Sequence, residues 1–292
     1  MATEIYRAIA DGILVGGVYA LMAVGLTLIF GVLDIINIAQ GVLVVLGAYL
    51  SYELALSWHL DLFLGLLLTV PAMFVIGVLI YLAFIRGLRG RERTSMTLLV
   101  SYAVALIVEG ILYKIWGPDF RQLNAWYVTR SVKIGGFYLP YVYLFGFALA
   151  VVLVAALYLL LYRTTFGRSV RAIMQNQTAA RLIGIEVNRV AAITYGIGVA
   201  VTAAGGMAFG ATNAFNPNSG YDLISRLLAI IILGGLGSIG GALVAAIFML
   251  TVNSLVDIWS PTWSTAVFYA ALVLVLLIRP DGLLGRSKAR TA

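Results

Sequence analysis

The chain has 292 residues, of which 62% are hydrophobic and 11% charged, at a mean hydropathy of +1.04, which excludes the soluble globular classes and leaves an integral membrane protein. The formal charge of +7 gathers in a few short stretches, which argues against a nucleic-acid partner, and the absence of cysteine excludes disulfides and thiolate metal sites. The single His59, between Trp58 and Asp61, has no second ligand near it in sequence and reads as a solvated interface residue.

Long apolar runs without period-two alternation are read as helices, because in lipid only helices or a closed barrel satisfy every backbone polar group. The expected fold is an all-α, polytopic membrane protein, a single transmembrane domain over 1–292 with eight or nine membrane segments that include broken or re-entrant helices. The runs fall at about 5–33, 35–56, 62–85, 96–116, 140–162, 190–212, 223–235, 241–258 and 262–278. Thirteen of the 19 Lys and Arg residues lie in Arg86–Arg93, Arg163–Arg189 and Arg279–Arg290, and the positive-inside rule places these stretches in the cytoplasm. Alternation then puts the N-terminus, 117–139 and 213–222 outside and the C-terminus inside. The opening MATEIYR lacks the basic region and cleavage site of a secretory signal, so the first helix is expected to be retained.

In chain order, the first helix carries Gly12/Gly16, a small-x-x-x-small pair suited to close helix approach, as do Gly206/Gly210 further on. In the second segment the spacing sets Asp34, Asn37, Gly41 and Ala48 on one helical face, with Gln40 beside them. A polar and small stripe inside lipid must face protein or water. Glu109 has two readings, a pathway group or a packed hydrogen bond; Asp11, Arg226, Asn253 and Asp257 are the other intramembrane polar residues. The segment 117–139 is bounded by Gly117-Pro118 and Gly135-Gly136 and is expected to form a small external strand pair.

Downstream, the turn ATNAFNPNSGYD reads as an external loop or, alternatively, a substrate gate. In SRLLAIIILGGLGSIGGALVAAIFML, the residues Gly234, Gly235, Gly237, Gly240 and Gly241 split an apolar run into two pieces, the first short for a crossing. Gly235, Gly237 and Gly240 match G-x-G-x-x-G, but no strand or βαβ unit surrounds them, so they read as packing and kink glycines. Discontinuous segments in two halves of a chain point to a translocation path. The first three segments and the last three share orientation and order, the pattern of an internal repeat.

The polar interruption Arg163–Arg189, set between apolar segments, is the most distinctive stretch. Val170, Ile173 and Met174 form an apolar stripe on a short helix; Asn176 or Thr178 caps a second, and Gly184 suits its C-terminal exit. Two short basic amphipathic helices fit docking into a partner's groove or lying flat on anionic lipid.

Thr178-Ala179-Ala180 followed by Gly184 resembles the coupling-loop pattern E-A-A-x-x-x-G of ABC importer permeases, with Thr for Glu. The stretches Gly16–Tyr49, Phe166–Asn176 (FGRSVRAIMQN), Leu182–Ile185 (LIGI), Leu233–Leu243 (LGGLGSIGGAL) and Arg279–Gly285 (RPDGLLG) together resemble the LivH-type permeases of branched-chain amino acid ABC importers over nearly the whole chain. The resemblance implies a bacterial or archaeal inner membrane, a second, LivM-like permease, two cytoplasmic ATPase subunits and an extracytoplasmic substrate-binding protein, besides membrane lipid. It implies coupling to the ATPases through Phe166, Gly167, Arg168, Arg171, Ala172, Thr178, Ala179, Ala180 and Gly184, within a cytoplasmic segment 163–189. Under alternating access the path is expected along Asp34, Asn37, Gln40, Gly41, Glu109, Gly234, Gly235, Gly237, Gly240 and Asn253. No G-x-x-x-x-G-K-[ST] loop and no nucleophile–base arrangement occurs in the chain, so no enzyme is read here; ATP and Mg are expected in the partners. A urea or short-chain amide permease is the alternative substrate class, and an ion-coupled carrier or channel the rival of another class.

Overall fold

A computed structural model describes residues 2–88, 93–128, 130–134 and 137–284; parts of the basic stretches 86–93 and 279–290, and the Gly135-Gly136 turn, lie outside the described residues. The helices are α1 (Ala2–Leu33), α2 (Gln40–Ser57), α3 (Leu62–Ile80, continued by a π-helical turn over Tyr81–Ile85), α4 (Arg93–Trp116), α5 (Tyr141–Arg163), α6 (Thr165–Gln175), α7 (Gln177–Leu182), α8 (Val187–Thr212), α9 (Ser219–Gly234), α10 (Ile239–Trp259) and α11 (Pro261–Ile278). Between α4 and α5, β1 (Ser131–Ile134) and β2 (Phe137–Pro140) pair antiparallel, Val132 opposite Leu139, as the turn signals predict. Eight of the helices are long and apolar enough to cross a membrane, all but α6, α7 and α9. The chain is a multi-pass membrane protein.

Contacts between helices fix their directions. Gly31 near the end of α1 meets the Met174 side chain of α6, so α1 runs toward the face that carries α6 and α7. Its Gly12 and Gly16 sit on the backbone of Thr251 and Ile247 in α10, which therefore runs the other way. A Cβ on Gly12 would lie 2.5 Å from Thr251 Cα, so a side chain there would push the helices apart; the small-residue pairs of the sequence do the packing expected of them.

Two stretches interrupt this order. The chain unwinds after α1 over 34–39 and after α8 over 213–218. Asp34, left-handed at φ 55°, reverses the chain, a conformation Asp tolerates better than most residues. At the second break Pro217 disfavours helix at Asn216 and removes a donor. The expected helical stripe from Asp34 through Ala48 is therefore not formed as one face: Asp34 is exposed in the turn, while Asn37, Gln40, Gly41 and Ala48 are buried.

After each break a helix begins in the middle of the membrane. Gln40 opens α2 beside Gly198 and Thr202, about 17 to 23 Å along α8 at 1.5 Å per residue. Ser219 opens α9 beside them, since Gly220 packs on Val42. From there α2 runs outward to the hairpin face and α9 runs to the α6 face.

The repeat is thus inverted and pairs α1–α4 with α8–α11 around the α5–α7 connection, instead of relating segments of the same orientation as the sequence suggested. α1 rests on α10 as α8 rests on α3. The two re-entrant turns share a pattern, Asn37-Ile38-Ala39-Gln40-Gly41 and Asn216-Pro217-Asn218-Ser219-Gly220. In each the first and fourth residues are joined by more than one bond: Asn37 Nδ2 donates to Gln40 Oε1 at 2.8 Å and Gln40 N–H to Asn37 O at 3.2 Å; Ser219 Oγ donates to Asn216 Oδ1 at 3.1 Å, Ser219 N–H to Asn216 O at 3.0 Å and Asn216 N–H to Ser219 Oγ at 3.0 Å.

The glycine run 234–241 is not the mid-membrane break. It forms the turn from α9 to α10 at the α6 face, with Gly235 and Gly237 at positive φ and Gly234 against Gly241. Beneath it, Leu283 N–H donates to Leu233 O at 2.7 Å.

A Cβ on Gly41 would overlap the Gly220 carbonyl, so Gly41→Val should cost about 1–3 kcal/mol of stability by overpacking. Gly110→Ala, with nothing within 4 Å of the new methyl, should be neutral or gain up to about 1 kcal/mol. Thermal unfolding of both variants in detergent checks this; an unchanged Tm for Gly41→Val would mean that α2 and α9 do not meet there.

Candidate functional site

The buried polar groups of the membrane interior collect where the two re-entrant turns meet. Gln40 Nε2 donates to Thr202 Oγ1 and, at 3.4 Å, to Gly198 O, while Thr202 Oγ1 also bonds Gly198 O at 2.8 Å. The Ile38 N–H, freed by the unwinding, donates to Ser101 Oγ of α4 at 3.2 Å. Gln40, Asn37, Thr202 and Ser101 are all buried. This network answers the requirement that unwound backbone in lipid be satisfied by protein. Two atoms in it are left over: the Tyr195 hydroxyl faces Asn37, yet neither it nor Asn37 Oδ1 has a well-formed hydrogen bond among the described residues.

Glu109 is tied to the same centre from α4. The Tyr221 hydroxyl, on the first turn of α9, donates to Glu109 Oε2 at 2.5 Å, and the helix start favours the nearby negative charge. The hydrogen bond of the packed reading is present, and it crosses from α4 to the re-entrant α9.

Other expected path residues lie elsewhere. Asn253 is on α10, bonded through Nδ2 to Asp257 at 3.0 Å, near the hairpin-face end of that helix and away from Asn37 and Gln40. Gly234, Gly235, Gly237 and Gly240 lie at the α6 face, where a Cβ added to Gly237 would lie 3.5 Å from Gly31 Cα. Asp34 is in the turn at that same end.

The segment 163–189 folds as two short helices. Thr164 caps α6 by accepting from Gly167 N–H at 3.0 Å, and α6 is strongly amphipathic, burying Val170 and Ile173. Asn176 caps α7, its Oδ1 accepting from Thr178 N–H at 2.9 Å and Ala179 N–H at 3.0 Å. Gly184 follows at φ 85°, the left-handed exit that a side chain would strain.

Within it the expected coupling residues divide. Phe166 and Ala172 pack against the core; Gly167 sits so close to the end of α5 that a Cβ would overlap Leu161 O; Ala180 is buried; and Arg171 donates to Leu161 O and lies 5.0 Å over the Tyr162 ring. Arg168, Thr178, Ala179 and Gly184 face outward. Beside them stand two residues not expected as contacts: Leu182 and Ile183 are 85% and 74% exposed, at the tip of an otherwise polar segment.

Over residues 8–276 the chain matches the family described as "Branched-chain amino acid transport system / permease component". The chain belongs to that family. It is 28% identical to the high-affinity branched-chain amino acid transport system permease protein BraD of Pseudomonas aeruginosa, covering 97% of each chain. It is 27% identical to LivH of Escherichia coli K12, covering 94% of each, and 25% identical to a probable LivH permease of Methanocaldococcus jannaschii, covering 96% of this chain and 92% of the other. No solved structure matches it.

In this permease, sequence reasoning missed Ser101, Tyr195 and Thr202, and it read Asn216, Ser219, Gly220 and Tyr221 only as part of the turn ATNAFNPNSGYD, an external loop or a substrate gate, without singling them out. The N-x-x-x-G pattern occurring at both 37–41 and 216–220 was the available signal for three of these. The others lie on helices whose hydropathy is unremarkable. At the opposite face, burial of Tyr127 between the hairpin segment and α3 pushes its phenol well above the usual range.

The Glu109–Tyr221 bond should show as energetic coupling. Glu109→Gln and Tyr221→Phe, singly and together, should give a coupling of about 1–2 kcal/mol in a double-mutant cycle of detergent unfolding; additive effects would mean the bond does not form.

Proposed function

We propose that this chain is a transmembrane permease subunit of an ABC importer that moves branched-chain amino acids inward by alternating access. The observation that carries it is the α6–α7 tip: Leu182 and Ile183 stand exposed on a capped helical turn whose base is fixed to α5 and α8. A rigid polar segment presenting two large apolar side chains fits helix-in-groove docking. The groove is assigned to two cytoplasmic ATPase subunits, which bind the ATP and Mg that this chain has no loop to hold. Family membership and the names of the relatives support branched-chain amino acids as the substrate.

The remaining assembly follows from the same reading: a second, LivM-like permease, an extracytoplasmic binding protein, and the inner membrane of a bacterium or archaeon. The α6 face, with Arg163, Arg168, Arg171, Arg181 and Arg189, lies in the cytoplasm by the positive-inside rule. This puts the N-terminus and the 117–139 hairpin outside and the C-terminus inside. Motion of the ATPases reaches the path through α6, whose Met174 touches Gly31 just before the inner re-entrant turn. The path runs past Asn37, Gln40, Gly41 and Glu109, where two helices that begin in mid-membrane can separate without breaking a continuous helix.

Leu182→Asp with Ile183→Asp should leave insertion and Tm unchanged and weaken ATPase binding about 30-fold, the loss expected for removing contacts worth about 2 kcal/mol. Leucine and urea uptake by the assembled complex reads coupling and substrate together. Normal leucine uptake by the double variant would reject the docking role, and urea uptake by the unaltered complex would reassign the substrate.

A further inference from the structure

The outer re-entrant segment is held from above by the start of the 117–139 segment, which the sequence offers as an external contact for a soluble partner. Residues 117–124, leaving α4 for the hairpin, cross the outer end of α2 as a strap. Arg121 and Phe215 form an antiparallel bridge: Arg121 N–H donates to Phe215 O at 2.9 Å and Phe215 N–H to Arg121 O at 2.8 Å. Leu123 N–H donates to Gly210 O at 2.9 Å. The strap thus grips both the end of α8 and the unwound chain that leads down to α9.

Its own anchorage is made by side chains. The Arg121 guanidinium donates to Trp116 O at 2.9 Å and to the Tyr52 hydroxyl at 3.1 Å. Trp116 stacks on Tyr49, whose ring also meets Phe215 edge-on at 5.0 Å. Phe215 is fully buried under the strap. Outside it lies an open hollow of about 620 Å³ lined by Tyr52, Ala55, Asp119, Arg121, Gln122 and Asn124.

The inner turn has a counterpart to this: just before it, Gly31 at the end of α1 meets Met174 of α6. The chain at or next to each re-entrant turn of the inverted repeat is therefore touched by the element that its own face offers to a partner. Resting on the importer reading above, we propose that 117–124 is a releasable latch that holds the outer re-entrant segment shut. A soluble binding protein seated on the hairpin and hollow opens it, freeing 213–218 and the start of α9. Three backbone bonds and one arginine are a small enough contact to be exchanged for contacts with a docked protein. The inner face is reached through α6, so the two faces are contacted by different elements, and a shift between two arrangements can open one while the other stays shut.

The chain has no cysteine, which makes the test direct. Gln122 and Ala214, both exposed, are the positions next to the Arg121–Phe215 bridge on its two strands, and opposed non-hydrogen-bonded positions of an antiparallel pair come close enough for a disulfide. In the complete complex in proteoliposomes, Gln122→Cys with Ala214→Cys should transport when reduced, lose at least about tenfold of uptake when oxidised, and recover with reductant. Full uptake by the cross-linked form overturns the latch, whereas no uptake by the reduced variant and the unaltered complex alike faults the importer reading instead. A second readout needs no transport. In a Ser219→Cys reporter chain, Arg121→Ala should speed labelling by an impermeant maleimide added outside about tenfold, the factor expected from losing a charged hydrogen bond; an unchanged rate likewise overturns it.

Discussion

Backbone that is not helical has nowhere to find water inside a bilayer, and this chain places two such stretches, 34–39 and 213–218, at mid-depth. Much of the interior is arranged to meet that demand. Ser101 takes the Ile38 N–H, Asn37 and Gln40 tie the first turn to itself and to α8, and Asn216 and Ser219 tie the second turn to itself. A continuous helix at either place would need none of these groups. The polar residues of the membrane interior are thus first of all a consequence of broken helices.

The breaks in turn explain the glycines around them. Two helices that begin at the same depth from opposite directions must pass each other at their first turns, and Gly41 and Gly220 leave room for carbonyl and backbone to touch. Along α1, Gly12, Gly16 and Gly25 bring α10 and α8 close enough that backbone meets backbone. With no hydrophobic force between helices in lipid, this close packing and the few hydrogen bonds carry the association.

The inverted relation of α1–α4 and α8–α11 makes the two faces mechanically alike, and the additions to each make them different. On one side α6 and α7 present Leu182 and Ile183; on the other the strap and hairpin cover the outer turn. A symmetric core with unlike handles is the arrangement that the proposed alternating access would use, with partners biasing one state or the other.

By itself the sequence determined the class, the places of the long helices, the strand pair, the Gly184 exit and the family, because each depends on local composition, spacing or short motifs; between Asn176 and Thr178 as the cap, the structure decided for Asn176. It placed Asn37, Gln40 and Gly41 together correctly, since they are neighbours in the chain. Only the tertiary structure decided that Asp34 lies outside their cluster, that Asn253 is remote from it, and that Glu109 reaches Tyr221 across 112 positions. It also moved the break from the glycine run to Asn216–Asn218 and turned the repeat upside down. Hydropathy records how apolar a segment is but not the depth at which it starts, and that depth is set by which helices it packs against.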